Sequence, residues 1–256
     1  MPGMKGMPQT TSDAFLGGRL HVFQPERGFR SGQEAVLMAA AVPARANEHV
    51  LELGCGAGAA ALSLAVRVPG LHVTGMDVDG SILDLARASA SANGLAGRAT
   101  FHEGDIARFP KALRGLFAHV MFNPPFHDAQ GTKTSGRATA THGGDDMVAA
   151  FVRAALLAGK AKATLTAIVS ADRLPGLLAC LHGKAGRIIV FPLWPRAGEP
   201  AKRVIVQATR DARTPATLLP GLVLHGSGQD YTREAQAILR HGEGLVLAPR
   251  KKDLTA

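Results

Sequence analysis

Short apolar runs alternate with helical stretches along this chain of 256 residues, and no other feature limits its fold as strongly. An apolar run at 49–54 precedes a helical stretch at 57–68, and the same pair recurs at 71–77 and 80–92. Strands separated by helices form βαβ units, which build a mostly parallel sheet. The sequence therefore predicts a doubly wound α/β domain.

The second half of the chain continues this pattern and then departs from it. Two apolar runs at 187–193 and 203–209 have no helix between them, so we expect an antiparallel hairpin there. The sheet should have seven strands, mostly parallel, with this hairpin at its end. The other predicted elements are strands at 99–102, 118–122 and 163–170 and helices at 146–157 and 173–181.

Composition excludes several classes of protein. Hydrophobic residues make up 46% and charged residues 19% of the chain, which excludes a mostly disordered protein. The longest apolar stretches fall short of the roughly 18 residues that span a bilayer, and the N-terminus lacks the apolar segment of a secretory signal. The two cysteines are interpreted as free thiols. We expect a cytoplasmic protein without a membrane or metal site.

The charge distribution is uneven. The net charge is +9, and eight of these excess positive charges follow residue 126. Such an imbalance suits a polyanionic partner such as nucleic acid. A generally basic surface without a partner would carry the same excess, so charge alone does not decide between them.

A glycine-rich turn joins the first predicted strand to the next helix, in the sequence Leu51-Glu-Leu-Gly-Cys-Gly-Ala-Gly58. Glycines permit a tight turn and let the backbone approach a ligand closely. Glu52 is out of place for a phosphate site but suits a cationic ligand. The glycine spacing typical of dinucleotide sites is also missing, because residue 59 is alanine.

Carboxylates follow the next two strands. Asp77 ends the second strand, where an acid can accept hydrogen bonds from both hydroxyls of a ribose. Asp105 follows the third strand, where a carboxylate can accept from the exocyclic amine of an adenine while Ile106 contacts the ring. Asp79 is interpreted as a helix N-cap. Together these positions predict a nucleoside cofactor in the crevice at the carboxyl ends of the strands.

The most specific motif is Asn123-Pro-Pro-Phe126, directly after the fourth strand. Prolines fix the backbone and donate no hydrogen bond, so the turn exposes acceptors. The Asn123 amide oxygen and the Pro124 carbonyl can accept hydrogen bonds from both N–H groups of a planar amine, which frees the lone pair of its nitrogen. Phe126 can stack on the base. The alternative is a proline turn with the phenylalanine packed in the core.

In this order, the motifs LELGCGAG, VTGMD, EGDI and NPPF resemble those of class I S-adenosylmethionine-dependent methyltransferases acting on planar amino groups. Segments at 18–40, 200–204 and 222–240 look like those of the bacterial tRNA adenine-N6 methyltransferases, which modify the adenine beside the anticodon of a valine tRNA. The resemblance covers roughly 14–248. It implies S-adenosyl-L-methionine as cofactor, a tRNA as partner, and direct methyl displacement without a metal.

Two departures keep alternatives open. Where the family has a small residue followed by aspartate, this chain has Gln33-Glu34, so Glu34 is expected near the methionine end of the cofactor. His127 after the NPPF motif resembles the ribosomal RNA guanine-N2 methyltransferases. A protein glutamine N5-methyltransferase and a non-catalytic RNA-binding module are the further alternatives.

The resemblance and the motifs together assign roles along the chain. Residues 1–46 are expected to close the cofactor pocket, 47–210 to form the methyltransferase domain and 211–256 to pack on it, in a monomer or weak homodimer. The predicted catalytic residues are Asn123, Pro124, Pro125 and Phe126. The predicted cofactor-binding residues are Arg30, Glu34, Glu52, Gly54, Cys55, Gly56, Gly58, Asp77, Val78, Asp105, Ile106 and Asn123. The candidate RNA-binding residues are Lys133, Arg137, Lys202 and Arg203.

Overall fold

The structure, a computed structural model, describes residues 10–125 and 144–248. It has a large mixed sheet, flanking helices and a separate two-stranded hairpin. The strands are β1 (Thr10–Phe15), β2 (Leu20–Pro25), β3 (His49–Leu53), β4 (His72–Asp77), β5 (Ala99–Glu103), β6 (Phe117–Phe122), β7 (Gly159–Ser170), β8 (Ala185–Trp194), β9 (Arg203–Arg210), β10 (Thr217–Leu218) and β11 (Leu222–Val223). The helices are α1 (Gln33–Ala41), α2 (Ala59–Arg67), α3 (Gly80–Ala92), α4 (Gly144–Ala158), α5 (Leu174–Leu181) and α6 (Arg233–Leu239).

The order of strands in the large sheet is β10-β8-β9-β7-β6-β3-β4-β5, with β11 also paired to β8. Strands β3 to β7 run parallel, and β9 lies antiparallel between β7 and β8. From β3 the chain proceeds outward to β5, then returns to β6 on the other side of β3. Such a reversal opens a crevice at the carboxyl ends of the strands, where open α/β sheets bind ligands.

The seven predicted strands, β3 to β9, are all present, and the antiparallel hairpin is confirmed. The sheet nevertheless has nine strands, not seven, because the short β10 and β11 extend it beside β8. Each has only two residues, so neither has the alternating pattern by which a strand is recognised in a sequence. No helix among the described residues has the length and hydropathy of a membrane span.

Two apolar clusters cover the two faces of the sheet. Successive residues of a strand point to opposite faces, so Val50 joins the cluster that contains α1 and α2, whereas Leu51 joins the cluster that contains α4 and α5. Both side chains are fully buried. This arrangement fixes β3 in the centre of the domain, and with it the glycine turn that follows.

Gly75, in the middle of β4, provides a test of this packing. A Cβ there would lie 2.6 Å from both Cys55 Sγ and Phe101 Cδ1. We therefore expect Gly75→Ala to lower the free energy of unfolding by about 1–3 kcal/mol, the usual cost of overpacking a core. Urea denaturation measures this change. Gly97→Ala is the matched control, because its added Cβ meets nothing within 4 Å, and equal stability of the two variants would contradict the packing described.

Candidate active site

The glycine turn after β3 is held against the end of β4. The backbone N–H groups of Gly54 and Cys55 both donate to the carbonyl of Met76, at 2.8 and 3.1 Å. Gly54, Gly56 and Gly58 have φ values of 65°, 51° and 80°. These positive angles lie in the left-handed region that side chains with a Cβ rarely adopt, so the three glycines are needed for the turn itself.

Asp77 braces this turn from the end of β4. Its Oδ2 accepts a hydrogen bond from the N–H of Gly56 at 2.8 Å, and its Oδ1 accepts from the N–H of Asp79 at 3.1 Å. Val78, next to it, is 71% exposed and offers apolar surface at the crevice edge. Asp79 caps α3 by accepting from Ser81 N, which confirms its interpretation as an N-cap.

Asp105 lies just beyond the neighbouring strand. Because Asp77 pairs with Glu103 across β4 and β5, the segment carrying Asp105 leaves the sheet at the same edge as Asp77. The Asp105 Oδ1 accepts from Ala107 N at 2.8 Å and so caps a short 3-10 turn. The exposed Asp105 and the half-buried Ile106 thus border the crevice, at the positions where an adenine was predicted.

Glu52 is the buried acid of the site. Its side chain is 5% exposed, and Oε2 accepts a hydrogen bond from Ala61 N in α2 at 2.8 Å. Burial, reinforced by the nearby Asp77 charge, raises the pKa of Glu52 from its ordinary value of 4.5 to about 8. The free protein therefore holds this carboxyl mostly protonated at neutral pH. Burial also raises the pKa of the Cys55 thiol, as for an unreactive packing residue.

A cavity of about 280 Å³ joins the glycine turn to the N-terminal part of the chain. Glu52, Gly54, Cys55 and Asn123 line it from the sheet, opposite residues 29–35. Asn123 Oδ1 is buried, and it has no hydrogen-bond partner among the residues that the structure describes. A buried acceptor without a partner is costly, so this oxygen is suited to accept from a ligand.

Arg30 and Glu34, both predicted to bind the cofactor, lie in the lining of this cavity. Arg30 forms an ion pair with Asp13 of β1 at 2.6 Å. Glu34 accepts from the Nε of Arg203 at 2.7 Å. Arg203 was predicted to bind RNA phosphate, but the structure places it in the cavity lining and pairs it with an acid. Lys202 is exposed beside it.

Gln24 supports the wall of the cavity, a role that the sequence analysis did not assign to it. It is 2% exposed, and its amide nitrogen donates to Asp13 Oδ2 and to the carbonyl of Ser31. Its amide oxygen accepts from Ser31 N at 2.7 Å, so one side chain fixes the cavity wall to the hairpin. Its role depends on the contacts with Asp13 and Ser31, which only the structure shows.

Several predicted residues cannot be compared with the structure. Phe126, Lys133 and Arg137 lie outside the described residues, as does His127. Pro124 is buried and Pro125 exposed directly after Asn123, at the end of β6. Within the described residues, no group of three histidine, cysteine, aspartate or glutamate side chains could hold a metal ion.

In sequence, the chain is similar to methyltransferases of several kinds. Residues 31–142 match the methyltransferase small domain. A release factor glutamine methyltransferase from Chlorobaculum tepidum is 38% identical over 35% of this chain and 31% of its own length. A tRNA1(Val) (adenine(37)-N6)-methyltransferase from Vibrio campbellii is 29% identical over 46% of this chain and 48% of its own. A ribosomal RNA small subunit methyltransferase C from Pseudomonas aeruginosa is 31% identical over 54% of this chain and 40% of its own.

This chain therefore spans less than half the length of each of these three relatives. Among solved structures, a predicted O-methyltransferase from Agrobacterium tumefaciens superposes with a TM-score of 0.71 at 23% identity, covering 82% of this chain and 97% of that chain. A SAM-dependent O-methyltransferase from Thermotoga maritima has a TM-score of 0.55 at 15% identity, over 73% of this chain and 68% of that one. The predicted class I fold is confirmed: this chain has the class I methyltransferase fold, and its residues 31–142 match the methyltransferase small domain.

Proposed function

We propose that this protein transfers a methyl group from S-adenosyl-L-methionine to a planar amino group, and that its substrate is the N6 amine of an adenine in a tRNA. Asn123 Oδ1 carries this proposal, because it is a buried acceptor without a partner among the described residues and lies in the lining of the same cavity as the glycine turn. A methyltransferase family and fold support the cofactor.

The residues present fit this cofactor. Three glycines with positive φ angles give the turn after β3 its tight backbone, and Glu52 provides a buried acid in the cavity beside it. Asp77 and Asp105 offer carboxylate oxygens at the ends of β4 and β5 for ribose and adenine. The cofactor, when bound, supplies a methyl group made electrophilic by a sulfonium.

Asn123 and Pro124 would act on the amine that receives the methyl group. Their two carbonyl oxygens accept hydrogen bonds from its two N–H groups, which localises the nitrogen lone pair and aligns it for attack. Pro124 and Pro125 restrict the backbone of this turn, so the acceptors are held before substrate arrives. Preorganised acceptors and alignment supply the rate enhancement, and the target base must leave its stack to reach them.

The tRNA adenine substrate is supported by the flanking segments that resemble the tRNA enzymes and by the Vibrio campbellii relative. The relatives that act on ribosomal RNA and on a release factor define the competing substrates. The test uses extract from a strain lacking this protein, incubated with purified protein and labelled cofactor. Label recovered as N6-methyladenosine in tRNA supports the proposal. Label recovered as a methylated guanosine, or in protein only, would reject the tRNA adenine.

Asp77 gives a quantitative test of the cofactor site. Asp77→Ala should weaken S-adenosyl-L-methionine binding by about 1–3 kcal/mol, because a charged hydrogen-bond acceptor and a brace of the glycine turn are both removed. Isothermal titration calorimetry measures this affinity. Asp84→Ala on α3 is the control, since it removes the same charge from an exposed ion pair with Arg87. Equal affinity in the two variants, or tight NAD binding by the natural chain, would contradict the assignment.

A further inference from the structure

A second groove of about 470 Å³ lies between the segment that follows β5 and the helix α4. Arg108, Lys111 and Arg114 line it from that segment, and Arg153 lines it from α4. Ile106 and Leu157 are among its apolar lining residues. We call it the basic groove. None of its lining residues lines the cavity that contains Asn123, so it is a separate feature of the surface.

The cations of the basic groove have no acidic counterpart among the described lining residues. Its lining includes four cationic side chains and no described acidic residue. All four are exposed, and none has an ion pair or side-chain hydrogen bond with another described residue. Other cations of the chain do have acidic partners, as in the pairs Arg30–Asp13 and Arg203–Glu34. Like charges gathered without counter-charges repel one another, so an anionic polymer in the groove would relieve that repulsion.

The walls of the basic groove are fixed by backbone hydrogen bonds. The N–H of Gly115 donates to the carbonyl of Leu157 at 2.9 Å, and the N–H of Leu116 donates to the carbonyl of Ala158 at 3.0 Å. The N–H of Arg114 closes a turn onto the carbonyl of Lys111 at 3.2 Å. The cations are therefore carried by an ordered backbone, which lowers the entropy cost of binding.

Apolar surface accompanies the charge. Leu157 is 36% exposed within the groove, one helical turn from Arg153, and Leu116 next to its wall is 48% exposed. A surface that combines cations with exposed apolar side chains suits a polymer that has both phosphates and sugar or base faces. A site for a free inorganic anion would not need the leucines.

The position of the groove connects it to the crevice. Ile106, which lines one part of it, directly follows Asp105 at the carboxyl ends of the strands. Arg114 precedes β6, so the lining reaches the opposite end of the sheet. A polymer held in the groove thus passes along one face of the domain and arrives beside the crevice.

We propose that the basic groove binds the phosphate backbone of the RNA substrate, an inference that rests on RNA being the substrate proposed above. Its four cations would each bind a phosphate, while Asn123 and its turn act on the base. Three of the four lie within residues 51–126, a stretch that has six basic and six acidic residues and therefore no net charge. These three stand three residues apart in the sequence, and folding adds Arg153 from α4.

The test compares two charge-matched double variants. Arg108→Gln with Lys111→Gln removes two groove cations, and Lys184→Gln with Arg213→Gln removes two exposed cations near the start of β8, outside the groove. Binding of unfractionated bacterial tRNA is measured at several salt concentrations, and S-adenosyl-L-methionine affinity is measured alongside. We expect the groove variant to bind tRNA more weakly and to show a salt slope smaller by about two, because each removed cation leaves one phosphate with its own counterions. The control should retain both the affinity and the slope.

The outcomes separate the two proposals. If the natural chain methylates tRNA but the groove variant binds it with unchanged affinity and slope, the groove is not the RNA site while the proposed function stands. If the natural chain methylates protein and neither binds nor methylates RNA, the proposed function and the occupant of the groove both fail. Unchanged cofactor affinity in both variants shows that the fold is intact. If the groove variant instead loses cofactor affinity, the double variant Arg114→Gln with Arg153→Gln repeats the test with the other two groove cations.

Discussion

Replacing Asn123 by alanine should lower the turnover number by about 10²–10³, the reduction typical of removing one preorganised hydrogen-bonding group from a reacting centre. Asn123 Oδ1 is buried without a described partner, so alanine leaves none of the described groups unpaired and should preserve the fold. The affinity for S-adenosyl-L-methionine should change little, because the acceptor acts on the amine of the substrate. Single-turnover kinetics with saturating cofactor measures the effect on the methyl-transfer step.

Asn123→Asp is the informative companion variant. Aspartate retains an oxygen at the same position and has no amide N–H groups, so it should retain more activity than alanine if acceptance is the function of this side chain. A turnover number for Asn123→Ala within a few-fold of the natural chain would remove the acceptor pair from the mechanism. A decrease in cofactor binding equal to the decrease in turnover would make Asn123 a cofactor residue instead.

The sheet and the glycine turn could be predicted because their signals are local. The alternation of apolar runs and helices predicted all seven long strands, and the glycines at 54, 56 and 58 do have the positive φ angles that a tight turn requires. The motif of Asn123 is local too, since the two prolines after it restrict the backbone whatever the rest of the chain does, and its catalytic role stays a prediction.

The N-terminal hairpin could not be predicted in this way. Strand β1 alternates between exposed and half-buried residues, so it lacks the apolar face that marks a strand in the sequence. Its partner β2 is held by α3: the side chain of Asn93 bonds to both backbone groups of His21, and the Ser89 hydroxyl accepts from Phe23 N. These partners lie 66 to 72 residues away.

The ion pair in the cavity lining also joins residues that are far apart in the sequence. Glu34 and Arg203 are separated by 169 residues, and each was assigned a different ligand from the sequence. Arg203 is the first residue of β9 and lies at the end of the sheet where α1 begins. There it forms an ion pair with Glu34. Interpreting residues by local motif misses such pairs, because the sequence contains no signal of which distant charges will meet.

Glu52 should make the protein less stable as the pH rises. Its pKa is about 8 in the folded chain and 4.5 ordinarily, so between these values the folded state holds a proton that the unfolded state has released. The free energy of unfolding should therefore fall from about pH 4.5 to about pH 8, by on the order of 5 kcal/mol in total for this group. Urea denaturation over that range, compared with Glu52→Gln, isolates this contribution from those of other groups.

Glu52→Gln should therefore be more stable than the natural chain above about pH 8, since its neutral amide can still accept from Ala61 N. The same variant should bind S-adenosyl-L-methionine more weakly, because a buried carboxylate stabilises a cationic ligand and an amide does not. A gain in stability with weaker binding is the pattern expected when a destabilising group is retained for function. Glu103→Gln, which removes an exposed acid at the same edge of the sheet, is the control variant. Parallel profiles for Glu52→Gln and the natural chain would contradict the raised pKa of Glu52 in the folded protein.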